Sequence, residues 1–132
     1  MKRILGVLAV FLMLTGCSMQ SADMAKIKDL EFTIIEEEQI PQELMQQIEE
    51  KKQQEMQLCY SDESNLYVVR GYGTQQCSGY SISVDEVYET EKSIVVHTSL
   101  IGPAATEQIE QTATYPYVVL KMELSDKSVI FQ

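Results

Sequence analysis

The chain has 132 residues, enough for a single domain, and is 45% apolar and 23% charged, as in a globular rather than a disordered protein. Its formal net charge is −10, with 20 acidic residues against 10 basic. That balance argues against nucleic acid and against peripheral binding to anionic lipid, both of which need clustered Lys and Arg.

The first segment, Met1 to Cys17, reads MKRILGVLAVFLMLTGC. Lys2 and Arg3 form a basic start, and Ile4 to Leu14 is an uninterrupted apolar run. The run is too short to span a bilayer, which takes about 20 residues. It ends in Leu14-Thr15-Gly16-Cys17, which resembles a bacterial lipobox. On that resemblance residues 1–16 are a signal peptide and Cys17 is lipidated and becomes the mature N-terminus. Acyl chains on Cys17 then hold the protein at the cell membrane, on the extracytoplasmic face. Residues 17–28 are expected to form the lipidated cysteine and a short polar tether, and residues 29–132 the folded domain.

Asp29 to Ile35 alternates apolar and polar residues, which predicts a first strand. Glu36-Glu37-Glu38 suits the positive end of a following helix. That helix is predicted from Pro41 to about Gln57, with Pro41 at its first position and an apolar stripe of Leu44, Met45, Ile48 and Met56. A short strand starts at Leu58, and Ser61 to Asn65 is a turn cluster. The stretch Leu66 to Val84, LYVVRGYGTQQCSGYSISV, reads as two strands joined in a hairpin by a glycine- and tyrosine-rich loop, the second strand running on to Tyr88. Ser93 to Ile101 is β-branched and apolar, a central strand broken by Gly102-Pro103-Ala104-Ala105. Thr106 to Thr114 is expected as a mobile loop. Strands follow at Tyr115–Met122, with Pro116 at its start, and at Val129–Phe131. The expectation is an α+β domain, a mostly antiparallel sheet or sandwich of six or seven short strands with one helix packed on it.

Gly71-Tyr72-Gly73, followed after a few polar residues by Ser78-Gly79-Tyr80-Ser81-Ile82, resembles the C-terminal domain of the PrcB family, protease-complex accessory subunits. Leu100-Ile101-Gly102-Pro103 and Tyr115-Pro116-Tyr117-Val118-Val119 match the family's Gly-Pro break and Tyr-Pro-Tyr strand. The family's Thr-Gly-Gly-Tyr stands here as Cys77-Ser78-Gly79-Tyr80, a departure that introduces a thiol. The resemblance implies a non-enzymatic protein-binding module, an accessory or stabilising subunit of a protease complex. Its contact loops would be Tyr72, Gly73, Thr74, Gln75, Gln76, Ser78, Gly79 and Tyr80, with Gly102 and Pro103. Tyr72, between two glycines, is the better contact candidate of the tyrosines, whereas Tyr80 and Ile82 are expected to anchor the loop to the core. The loop is also loosely similar to the Thr-Gly-Tyr loop of chagasin-like protease inhibitors.

Elsewhere the chain offers little chemistry. His97 is the single histidine and sits inside an apolar run, so it reads as a strand residue facing solvent or the sheet edge, with no metal spacing around it. A nucleophile made of Cys59 or Cys77 with His97 lacks any surrounding signature. Glu36-Glu37-Glu38 reads as a solvated run rather than a calcium or glycosidase site, and Gly71-Tyr72-Gly73 lacks the third glycine of a dinucleotide loop. With Cys17 taken by lipid, Cys59 and Cys77 are left either as a bridge tying the loop to the helix exit or as two independent thiols. The expected partner is an envelope protein, a secreted or membrane protease being one candidate, with no cofactor, no metal, no nucleic acid and no small-molecule substrate. The other readings are a structural or housekeeping envelope lipoprotein and, last, a hydrolase.

Overall fold

A computed structural model describes residues 25–132. The apolar run, the lipobox and Cys17 lie outside the described residues, as does most of the stretch read as a tether.

Eight strands and one helix build three layers. The strands are β1 (Lys28–Asp29), β2 (Phe32–Ile34), β3 (Glu55–Ser61), β4 (Asn65–Tyr72), β5 (Ser81–Glu89), β6 (Ser93–Ile101), β7 (Tyr117–Glu123) and β8 (Ser128–Phe131), and the helix is α1 (Gln42–Lys51). One sheet has the order β1-β5-β6-β8 and the other β2-β7-β4-β3. All neighbours are antiparallel except β6 and β8, which run parallel. The architecture is α+β, as the strand and helix patterns imply.

Two cores separate the layers. Leu66, Val68, Val118, Leu120 and Met122 of one sheet meet Val87, Ile94 and Val96 of the other between the sheets. On the far face of β4 and β7, Tyr67, Val69 and Val119 meet Leu44 and Ile48 of α1, with Ile35, Ile40 and Met56 closing the sides. Leu44 and Ile48 are fully buried, each worth roughly 1.5–3 kcal/mol of hydrophobic stabilisation. This explains why Leu66-Tyr67-Val68-Val69 is apolar without alternation: β4 lies in the middle layer, covered on both faces.

Three expectations need correction. First, β4 and β5 do not form a hairpin: they lie in different sheets, and residues 73–80 carry the chain from one to the other. A strand buried on both faces belongs to the middle layer, whereas the alternating Ser81-Ile82-Ser83-Val84 belongs to a sheet with one open face. Second, the helix does not reach Gln57. It ends at Lys51, and Met56, Leu58 and Tyr60 alternate as strand β3, paired with β4 from Glu55↔Tyr72 to Ser61↔Leu66. Third, the Asp29–Ile35 strand is two. Leu30 N–H donates to Val87 O in the first sheet at 3.0 Å, and Phe32–Ile34 pairs with β7 in the second. Sheet pairing already begins at Lys28, within the stretch expected as tether. The eight strands among the described residues stand close to the six or seven expected.

Candidate functional site

The two loops singled out in the sequence meet at one end of the sandwich. Residues 73–80 leave β4 at Tyr72 and enter β5 at Ser81, and residues 102–116 leave β6 at Ile101 and enter β7 at Tyr117. Ser81 pairs with Ile101, and Gly71 with Tyr117, so the register brings the four loop ends together.

Backbone bonds then clip one loop to the other. Gln75 and Thr114 exchange N–H···O bonds at 2.8 and 3.0 Å, a single antiparallel bridge. Ser78 N–H donates to Glu110 O at 2.9 Å, and Glu110 N–H donates back to Ser78 Oγ at 2.8 Å. Thr114 Oγ1 donates to Cys77 O at 2.8 Å. On the other side, Thr74 N–H donates to Gln53 O at 3.2 Å, tying the loop to the helix exit. The 106–114 segment, expected as mobile, is therefore bonded at Glu110 and Thr114.

Two glycines make this approach possible. Gly79 has φ +95°, and a Cβ there would lie 2.7 Å from Pro103 Cβ, with Ile109 Cγ2 at 3.4 Å. Gly73 has φ +77°, with the Gln53 and Gln54 backbone 3.3 Å from where its Cβ would be. Only glycine adopts such angles without strain. Tyr80 lies against Gly102, whose Cβ would sit 3.5 Å from Tyr80 Cε1.

Tyr72, expected as a contact residue, is half-buried. Its hydroxyl shares a 2.6 Å hydrogen bond with Thr98 Oγ1 in the opposite sheet, and the Arg70 guanidinium stacks on its ring at 4.1 Å. Tyr72 is a cross-sheet tie beneath the loops, whereas Tyr80 lies within the loop contact. Ile82 packs on the inter-sheet core, as expected. Among the expected contact residues, Thr74, Gln76 and Gly102 are exposed. Gln75, Ser78, Gly79, Tyr80 and Pro103 are half-buried, and Gly73 is buried. Two apolar residues that sequence reasoning left out complete the surface: Ile101 is 49% exposed and Ile109 is 39% exposed. Ile109 had a signal, being one isoleucine in a polar segment.

Cys59 and Cys77 are both free. Cys59 pairs with Val68, four residues along β3 from the Glu55–Tyr72 end, a rise of about 13 Å. Cys77 is held beyond that end by Thr114. A bridge needs Cα atoms within about 7 Å, so the staple of the loop is its backbone bonding and not a disulfide.

His97 lies on β6 with its side chain 45% exposed and Nδ1 3.6 Å from Asp85 Oδ2. Asp85 stands at the irregularity between Val84 and Glu86 in β5 and accepts from Ser83 Oγ at 2.6 Å and from Ser99 Oγ. These hydroxyls, with His97 beside them, hold the Asp85 carboxyl below the usual carboxylate range. The serines donate to the aspartate and not to the histidine, so the group does not form the serine–histidine pair of a nucleophilic relay. Cys59 sits in the other sheet from His97. Among the described residues, no three His, Cys, Asp or Glu side chains gather at metal-binding distance. Glu36-Glu37-Glu38 is exposed around a short 3-10 turn, Glu37–Gln39.

The family model described as PrcB C-terminal matches residues 66–123. Over these residues the chain is similar to a PrcB C-terminal domain. The match opens at the start of β4 and closes at the end of β7, so it takes two neighbouring strands from each sheet and contains both clipped loops. The PrcB domain relates the chain to subunits of protease complexes. No curated protein and no solved structure matches the chain.

Proposed function

We propose that the chain is an extracytoplasmic lipoprotein, anchored through Cys17, whose PrcB domain is a non-enzymatic binding module for a secreted or membrane-bound protease. The observation that carries this reading is the surface formed by the clipped loops, which lies wholly within the family-matched segment. Its backbone is fixed by five hydrogen bonds between the two loops, so little ordering entropy remains to oppose a partner. Its exposed groups combine apolar Ile101 and Ile109 with Thr74 and Gln76, an apolar centre with polar neighbours as protein interfaces require. The module acts by complementarity of surface. Holding a protease in its folded state would stabilise it by mass action.

The lipobox supports the anchoring, and the excess of acidic over basic residues, larger still without Lys2 and Arg3, supports a body that stands off an anionic membrane surface. The test uses the full chain as bait in envelope extract, with recovery of proteolytic activity as the readout. Wild-type chain should retain a protease, and Ile109→Glu, an exposed change that leaves the clip intact, should lose it by about tenfold or more, the effect of removing one central apolar contact. Equal recovery by the two proteins would remove the loop surface from the account.

A further inference from the structure

The edges of the two sheets are not alike. β1 has two residues, one of them Lys28, and follows Lys26, each lysine ion-paired to neighbouring acids. β2 has three residues and β8 four. Short edges and lysines are the usual protections against pairing with another chain. β3 has seven residues, EMQLCYS, with no lysine, no proline and an unbroken register to β4. No described strand pairs with its outer side.

The hydrogen-bond alternation fixes which backbone groups face outward. Tyr72 N–H donates to Pro116 O on the β7 side, and Asp62 N–H donates to Asn65 O at the turn between β3 and β4. By the two-residue period, Met56, Leu58 and Tyr60 turn their N–H and C=O groups toward β4. Glu55, Gln57, Cys59 and Ser61 turn theirs outward. All four of these residues are exposed.

We infer that this edge is where a second copy of the chain adds, by antiparallel pairing of β3 with β3 across a two-fold axis at Leu58. That register sets Gln57 opposite Cys59 of the other copy and Glu55 opposite Ser61, so every outward group finds a partner, about eight hydrogen bonds in all. Charge selects the occupant. The molecule is strongly acidic, yet the only charge on β3 is Glu55, and Arg70 Nη1 neutralises it at 3.3 Å. The two-fold also places the two Glu55 residues at opposite ends of the pairing. A basic partner would be drawn to the acidic faces, whereas this neutral strip is where two acidic molecules can approach. Uncharged Gln57, Cys59 and Ser61 leave room between the copies. This surface is separate from the clipped loops and leaves them open to a different partner.

The test measures the sedimenting mass of the full chain over a dilution series, with hydrogen exchange of the Gln57, Cys59 and Ser61 amides. Wild-type chain should sediment at twice the chain mass when concentrated and at the chain mass when dilute, with these three amides losing protection on dilution. Cys59→Pro removes an outward N–H without breaking a β3–β4 bond, and it should sediment at the chain mass throughout with an unchanged circular dichroism spectrum. Gln57→Lys, which introduces a charge and no backbone change, should do the same. A wild-type chain of single mass at every concentration would overturn the inference. So would double mass retained by both variants, or protected amides at single mass, which would mean that residues 1–24 cover the edge.

Discussion

Gly79 is the residue on which the loop geometry turns. Alanine there must accept φ +95° and push a methyl to 2.7 Å from Pro103 Cβ. The cost is expected at about 1–3 kcal/mol, read as a fall in Tm, with the 102–114 segment gaining proteolytic sensitivity. Tyr72 makes a different contribution. Tyr72→Phe keeps the ring under Arg70 but leaves the buried Thr98 hydroxyl without its 2.6 Å partner, a loss of about 1–3 kcal/mol by chemical denaturation. The carboxylates set the acid limit. Asp62 accepts from the Ser64 and Asn65 N–H groups, Asp85 from Ser83 and Ser99, and Glu89 from Lys127 at 2.5 Å, and each is held below its ordinary value of 3.8 for Asp or 4.5 for Glu. A carboxyl whose folded value is depressed stabilises above the unfolded value and loses that contribution as pH falls through the folded one. Stability should therefore be level above about pH 5 and decline below about pH 4, and Asp62→Asn should flatten that decline in a series of thermal melts. The free thiols of Cys59 and Cys77 predict an intact mass that does not change on reduction; a gain on reduction would contradict them.

At the scale of elements, α1 buries Leu44 and Ile48 fully, with Met45 half-buried beside them. Ile48→Ala should cost about 2–5 kcal/mol, since Ile48 is fully buried against Val69 and Val119 of the middle sheet; chemical denaturation of the variant measures it. Much of the secondary structure was legible in the chain: Ser93–Ile101 and the Ser81 start of β5 stand where their alternation and β-branching put them. The end of the helix was not. Gln53-Gln54-Glu55 is polar in either conformation, and Met56 falls on the helical stripe as well as on the strand period. Pairing with β4, a tertiary contact, decides for the strand. The sheet assignment of β4 and β5 was hidden for a similar reason. A loop of glycine, tyrosine and polar residues fits a hairpin and a crossover equally well, and only the second covering layer on β4, brought by a helix distant in sequence, separates the two. The candidate site was legible as two loops, through Gly73, Gly79, Gly102 and Pro103. Their union was not, because Gln75–Thr114 and Ser78–Glu110 are held mainly by backbone groups between residues more than 30 apart in the chain. The cross-sheet tie of Tyr72 was not legible, since its partner Thr98 lies 26 residues on.

At the scale of the molecule, the PrcB segment spans the middle of the fold, from β4 to β7, and the helix, β1, β2, β3 and β8 complete the layers around it. The three-layer arrangement leaves the clipped loops at one end of the sandwich, at Tyr72, Ser81, Ile101 and Tyr117, and the unprotected β3 edge along one side. A protease bound at that end and a second copy along that side would not compete. The central claim is that the loop surface is the binding surface. Hydrogen exchange of the full chain, compared free and in complex with the protease it retains, tests it most directly. The account predicts slowed exchange in residues 74–80 and 101–110 on binding. Unchanged exchange in both loops, with protection elsewhere in the chain, would contradict it.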